Sequence, residues 1–354
     1  MKELELDRRD EEVLEAIVRS YIQTGEPVGS RTISLHSREG LSAATIRNVM
    51  ADLEDKTLLT QPHTSAGRVP TDLAYRVYVD SLMKAQRLPP TEERLIESSL
   101  GESHSEVSEL FASVSRVLSR LSRHMGVVVT PHIARVRLRD LEFVRMAPHR
   151  VLVVMVGASG VIYNKMVEIP EDHDQEKLDA IGRRLTKEFR GHTMPEVRDI
   201  ILERMSEEKA SFDALLRDAL SVARAGLEIV PEEAGRLGEV FVDGTANLLS
   251  EPEFSSADRL QSLVRTIEEK HELLRLLNGC LEQHPTGVRV MIGSEVHSPD
   301  MSDCTLIAAA YGTEGQTLGA LGIIGPTRME YAHAIALVES VARLFSQALR
   351  RYEG

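Results

Sequence analysis

Apolar positions in the first ninety residues recur at helical spacing and break at turn signals. Val13, Leu14, Ile17, Val18, Tyr21 and Ile22 share one face of a helix predicted over Asp7 to Thr24, which Gly25-Glu26-Pro27 closes. A short second helix, Ser30 to Ser37, buries Ile33, with Leu35 as a second candidate. After the Arg38-Glu39-Gly40 turn comes Ser42, whose hydroxyl suits the first free N–H groups of a helix. A third helix is therefore predicted from Ser42 to about Lys56, with Ile46, Val49, Met50 and Leu53 inward. Leu58-Leu59-Thr60 and Arg68-Val69-Pro70 flank the polar loop His63-Thr64-Ser65-Ala66-Gly67 and form a hairpin pattern. A fourth helix, about Asp72 to Gln86, stops before Pro89-Pro90, the clearest linker in the chain.

Beyond the linker the pattern predicts a helix over about Glu92 to Met125, then strands at Val136–Met146, Val151–Val156 and Val161–Ile169. The Gly157-Ala158-Ser159-Gly160 turn joins the last two strands. From about 171 to 254 the chain turns polar and helical, including Val197–Val222, with one short apolar run at Glu239–Val242. A helix over Gln261 to Leu281 follows, then strands at Val288–Gly293, Thr305–Tyr311 and Leu318–Ile324, and a closing helix over Met329 to Arg350. Strands, a helical interlude and strands again predict one α+β domain with an insertion. Leu260, Ile267, Leu274 and Leu281 recur every seven residues, but about three heptads fit a helix packed on its own sheet better than a coiled-coil seam.

The third helix turns Ala43, Ala44, Thr45, Arg47, Asn48 and Ala51 outward. A DNA major groove accepts one helix, where Arg pairs with guanine, Asn with adenine, and small methyls touch thymine. The same pattern also fits an ordinary amphipathic surface helix, and pattern alone leaves the two even. The hairpin favours DNA, because a small polar loop beside Arg68 suits a wing over the backbone or minor groove.

Charge changes how such a helix would have to work. The whole chain carries −13, yet residues 1–90 hold 12 Lys and Arg against 14 Asp and Glu. With no basic field, binding rests on a few well-placed cations and on dimerisation. Mean hydropathy is −0.17, no apolar run has membrane-spanning length, and the charged start predicts no secretory signal. The isolated Cys280 and Cys304 predict neither a disulfide scaffold nor a zinc site and fit a reducing cytoplasm. The twelve histidines show no H-x-x-x-H spacing, and Gly312, Gly315, Gly319, Gly322 and Gly325 accompany no phosphate-binding motif. Neither a cofactor, a metal nor an enzymatic activity is expected.

Three long runs carry a resemblance: Gly25-Glu26-Pro27-Val28-Gly29-Ser30-Arg31-Thr32, Leu41 through Glu54, and Gln61 through Thr71. With Leu318 through Met329 they resemble the HrcA-type heat-inducible transcription repressors over nearly the whole chain. The resemblance implies a winged helix-turn-helix domain (residues 1–88), a discontinuous GAF-like α+β domain (89–170 and 255–354) and an inserted dimerisation domain (171–254). It implies a homodimer on double-stranded DNA, at an inverted-repeat operator upstream of chaperone operons, and folding assisted by a GroEL-type chaperonin. Ser42, Ala44, Thr45, Arg47 and Asn48 are then the reading-helix candidates. Ser30, Arg31, Thr32, His63, Thr64, Ser65 and Arg68 are candidates for backbone and wing contacts. Thr57 stands where the family pattern has a helix-ending Gly, and Val296 where it has Asn, which puts a polar role for that loop in doubt. A regulator that senses a metabolite in the GAF-like domain remains the second class.

Overall fold

The computed structural model describes residues 5–353, apart from 37–39, 64–65, 102–106, 132–135, 159, 198, 201–238, 284–286 and 314–315. The fold is mixed α/β. Helices α1 (Arg8–Thr24), α2 (Ser30–His36) and α3 (Ala43–Asp55) precede a two-stranded ribbon, β1 (Leu59–Thr60) and β2 (Val69–Pro70). Helix α4 (Asp72–Val77) runs into a π-helical turn at Tyr78–Leu82, so the fourth helix ends earlier than expected. The predicted inner faces of α1 and α3 are the buried ones, except that Tyr21 is half-buried; Leu35 is not buried but 83% exposed.

The predicted helix over Glu92 to Met125 is instead α5 (Pro90–Gly101) and α6 (Val107–Ser122), and Met125 opens strand β3 (Met125–Val129). All five β3 residues are buried. A strand covered on both faces reads as a continuous apolar run, which periodicity does not distinguish from a helix end. β3 lies in a five-stranded sheet of order β7-β3-β10-β9-β8, with β7 (Val240–Asp243), β8 (Val288–Ile292), β9 (Cys304–Thr313) and β10 (Gln316–Pro326). The pairings β3–β7, β3–β10, β9–β10 and β8–β9 are antiparallel. On one face Val128, Ile307, Leu321 and Ile323 join a core with α5, α6, the C-terminal helix and the N-terminal helices. The alternate residues Met125, Val127, Val129 and Leu306 build a second core with α8 (Thr245–Leu249), α9 (Ala257–Glu268) and α10 (Lys270–Gln283). α9 and α10 break at Glu269, so the heptad row is not one helix; Leu274 sits in the second core. The C-terminal helix, α11, spans Tyr331–Glu353. Gly322 belongs to close strand packing, since a Cβ there would meet the Ile307 carbonyl oxygen at 2.3 Å.

Strands β4 (Leu138–Ala147), β5 (Arg150–Gly157) and β6 (Ile162–Glu168) do not join that sheet. They form a separate antiparallel sheet, order β4-β5-β6, covered by α7 (Gln175–Phe189). Phe143, Val151, Met155, Val167, Leu178, Ile181 and Leu185 make its own core. The expectation that residues up to 170 continue the interrupted α+β domain is therefore corrected: these strands pack with the segment that follows them. Helix α7 also closes the exposed edge of β4. The Gln175 side chain accepts from Arg145 N (2.9 Å) and donates to Phe143 O (2.8 Å), and Thr186 Oγ1 accepts from Leu141 N (2.9 Å). These side chains occupy groups that would otherwise template another strand. The expected helix over Val197–Val222 lies outside the described residues from 201 on.

Candidate nucleic-acid interface

Helix α3 starts where Ser42 caps it. Ser42 is extended (φ −68°, ψ 152°), and its Oγ accepts from Thr45 N at 3.1 Å and lies 2.9 Å from Thr45 Oγ1. Such a cap stabilises a helix by ~1 kcal/mol and leaves the positive end of its dipole at the exposed N-terminus. Ile46, Val49, Met50 and Leu53 are buried, while Ala44, Arg47, Asn48 and Ala51 are exposed and spaced to share one face. Thr45 is half-buried beside the cap. Arg47 and Asn48 make no hydrogen bond or ion pair with any described residue.

The far end of α3 is fixed in three ways. Lys56 Nζ donates to Asp10 Oδ2 at 2.5 Å, which ties the helix to α1 and raises the lysine pKa. Thr57 adopts φ +61°, with Thr57 N bonded to Glu54 O and Leu58 N to Leu53 O, both at 2.9 Å. This is a Schellman stop, with the fully buried Leu53 and Leu58 in the places of its usual apolar contact, made with Thr where Gly is the ordinary residue. Third, the Arg68 guanidinium reaches back from the ribbon to Glu54 at 2.8 Å.

The ribbon is short, pairing Leu59 with Pro70 and Thr60 with Val69. Its loop is closed by Gln61 Nε2 donating to Ala66 O (3.0 Å) and Ala66 N donating to His63 O (2.8 Å). Val28 and Arg68 exchange two backbone hydrogen bonds of 2.9 Å, which seats the ribbon against the strand-like entry to α2. Gly67 permits that approach, because a Cβ there would lie 2.5 Å from the Val28 carbonyl.

Of the other candidates, Arg31 and Thr32 are exposed on α2 and Ser30 is half-buried at its start. His63 is exposed in the loop; Thr64 and Ser65 lie outside the described residues. Arg68 is where it was expected but already holds a carboxylate. Glu54 and Gln61 were missed, since nothing local in the sequence ties residue 54 to residue 68. The expectation of few free cations takes a definite form. Arg19, Lys56, Arg68 and Arg76 are paired with carboxylates, whereas Arg31 and Arg47 are exposed with no ion pair to a described residue.

Comparison with known proteins defines the class first: the similar curated sequences are transcription repressors, not enzymes. Residues 108–335 match a family model described as "HrcA protein C terminal domain". Heat-inducible transcription repressor HrcA of Syntrophobacter fumaroxidans is 39% identical over 345 residues, covering 98% of both chains. The protein of the same name from Geobacter sulfurreducens is also 39% identical, again covering 98% of both chains. The chain belongs to the HrcA family of heat-inducible transcription repressors. A crystal structure described as that of a hypothetical protein aligns with TM-score 0.60 and 20% identity, over 98% of this chain and 100% of that one, and shows the same fold. No described helix is long and apolar enough to cross a membrane.

Proposed function

We propose that the protein represses transcription as a homodimer, placing two copies of α3 in successive major grooves of an inverted-repeat operator upstream of chaperone operons. The first 88 residues act as a winged helix-turn-helix: α2 and α3 are the helix pair and β1–β2 the wing. Ala44, Thr45, Arg47 and Asn48 read base edges behind the Ser42 cap. Ser30, Arg31, Thr32 and His63 lie along the DNA backbone. Arg68, held by Glu54, keeps the wing beside α3 and would reach a phosphate only by exchanging that partner. The observation that carries this reading is the exposed Ala44–Arg47–Asn48 face, whose Arg47 and Asn48 make no hydrogen bond or ion pair with a described residue, on a helix fixed at both ends.

The five-stranded sheet with its helices is the GAF-like domain of this reading, and the β4–β6 sheet with α7 belongs to the inserted dimerisation domain. The boundaries then move from 171–254 to about 131–238. Val144, Leu152 and Met166 face each other across the three strands on the side away from the α7 core, and Val144, Met146, Ile162 and Met166 are 36–61% exposed. An apolar face of that kind suits a second copy of the chain. Repression follows from occupying the promoter in the cytoplasm. Heat relieves it by depleting the binding-competent fold, whose margin is on the order of 5–15 kcal/mol, and competition for a GroEL-type chaperonin shifts the same population.

A labelled duplex carrying the inverted repeat tests the reading. Full affinity on the intact repeat, a large loss when one half-site is scrambled, and release on heating that chaperonin reverses are expected. Equal binding to intact and scrambled sites, or occupancy that is unchanged by heat with and without chaperonin, would contradict it.

A further inference from the structure

The sequence places a linker at Pro89-Pro90, yet the N-terminal unit is not loosely tethered. Its core is continuous with that of the five-stranded sheet, from Leu14 and Ile17 through Tyr75 to Tyr331 and Leu337. The Tyr75 and Tyr331 rings lie 5.8 Å apart. Two arginines, one from each side, cross this seam.

Arg328 lies in the loop between β10 and α11, only 18% exposed. Its Nε donates to Glu253 Oε1 at 2.6 Å, and its Nη1 donates to the Ile22 carbonyl oxygen at 3.2 Å. Ile22 is in the last turn of α1, a turn with no basic residue of its own. A guanidinium supplied from the far end of the chain therefore satisfies one free carbonyl and the negative end of that helix dipole. Gly25, the α1 cap at φ +69°, lies directly beside that guanidinium. In the opposite direction, Arg76 of α4 makes a two-pronged contact with Glu295 and donates to Val290 O at 2.7 Å. Asp72 Oδ2 accepts from Ser294 N at 3.1 Å. Glu295 also accepts from Ile292 N at 3.0 Å, so it is fixed before it receives the arginine. The loop whose polar role Val296 put in doubt thus acts through Glu295, with Val296 buried beneath it.

We infer that Arg328 and Arg76 are positioning residues for operator binding: together they lock the first 88 residues onto the five-stranded sheet in one orientation and so set the separation of the two α3 helices in the dimer. A two-pronged arginine contact is directional, whereas the burial of apolar surface beside it is not. One contact lies at the end of α1 and the other on α4, and two separated contacts fix a rotation where one would leave a pivot. A palindrome demands a fixed distance between reading helices, whereas a single half-site does not. The inference rests on the assignment of α3 as the reading helix of a dimer.

Full-length Arg328→Met and Arg76→Met, which keep the apolar stem, are titrated on three sets of duplexes: the inverted repeat, repeats with the spacer changed by one or two base pairs, and a lone half-site. Each variant is expected to lose at least tenfold in affinity for the natural repeat, keep half-site affinity within twofold, and discriminate less between spacers. Parallel losses on half-site and full site would mean local misfolding and overturn the inference, as would unchanged full-site affinity and spacer preference. Failure of the parent reading looks different: wild type would then show no preference for the repeat over the half-site.

Discussion

Replacing Thr57 with Gly isolates a helix stop at which a β-branched residue takes the left-handed conformation. Thr57 holds φ +61°, a left-handed conformation that costs an L-residue about 1–2 kcal/mol, and β-branching makes it a marked outlier. Its side chain is exposed, so truncation removes no packing. The Thr57–Glu54 and Leu58–Leu53 backbone bonds of the Schellman stop survive in Thr57→Gly. So does the bond from Thr71 Oγ1 to the residue 57 carbonyl oxygen, at 2.8 Å. Against the relief of strain stands the larger unfolded-state entropy of Gly, about 0.5–1 kcal/mol. The net gain is roughly 0.5–1 kcal/mol, or about 1 °C in the unfolding midpoint of the whole chain. Thermal melts by circular dichroism, with Thr57→Ala as a control that keeps the left-handed strain but loses the branch, read this directly. The order expected is Gly above Ala and wild type. A midpoint for Thr57→Gly equal to or below wild type would refute the strain argument. If heat relieves repression by melting this unit, operator release should move up by a similar interval.

The same geometry yields further expectations. Gly67→Ala brings a Cβ within 2.5 Å of Val28 backbone and should destabilise by about 1–3 kcal/mol, loosening the ribbon; an unchanged melting midpoint would mean the ribbon shifts freely. His124 is held to a pKa of about 4 by burial first, then by Arg328 and His333. Because the folded value lies below the ordinary 6.5, the unfolded chain takes up a proton first as pH falls. Stability is therefore intact above pH 6.5 and declines as pH falls towards about 4, by roughly 1 kcal/mol at pH 5.5. Glu251, raised above the ordinary 4.5 chiefly by burial, acts in the opposite sense in the lower part of that range. A wild-type denaturation midpoint that falls between pH 7.5 and 5.5 while that of His124→Gln does not is the expected pattern, and parallel curves would contradict it.

Much of the proposed reading surface is legible in the sequence because it is built locally. The Ser42 cap, the buried Ile46-Val49-Met50-Leu53 stripe and the exposed Arg47 and Asn48 depend on spacing within one helix. The oddity of Thr57 is also visible, since only its neighbours decide which residue stops α3. What fails to show is pairing at a distance. The run Leu138–Glu168 alternates like any half-buried sheet, and alternation does not say which strands it joins; only the packing of Phe143, Val151 and Val167 on α7 does. Leu35 misleads because a seven-residue helix leaves room for only one buried stripe, and Ile33 occupies it. Arg68 and Arg76 look like free cations until Glu54 and Glu295, 14 and 219 residues away, are placed beside them.

The central claim is that α3 reads sequence through Arg47 and Asn48, and one titration meets it directly. Wild type, Arg47→Ala and Asn48→Ala are titrated at fixed salt on the inverted repeat and on repeats with single base pairs substituted symmetrically in both half-sites. Each variant is expected to lose about 1–3 kcal/mol per contact and to become indifferent at the base pair its side chain addressed. Wild-type affinity and base preference in both variants would contradict the account.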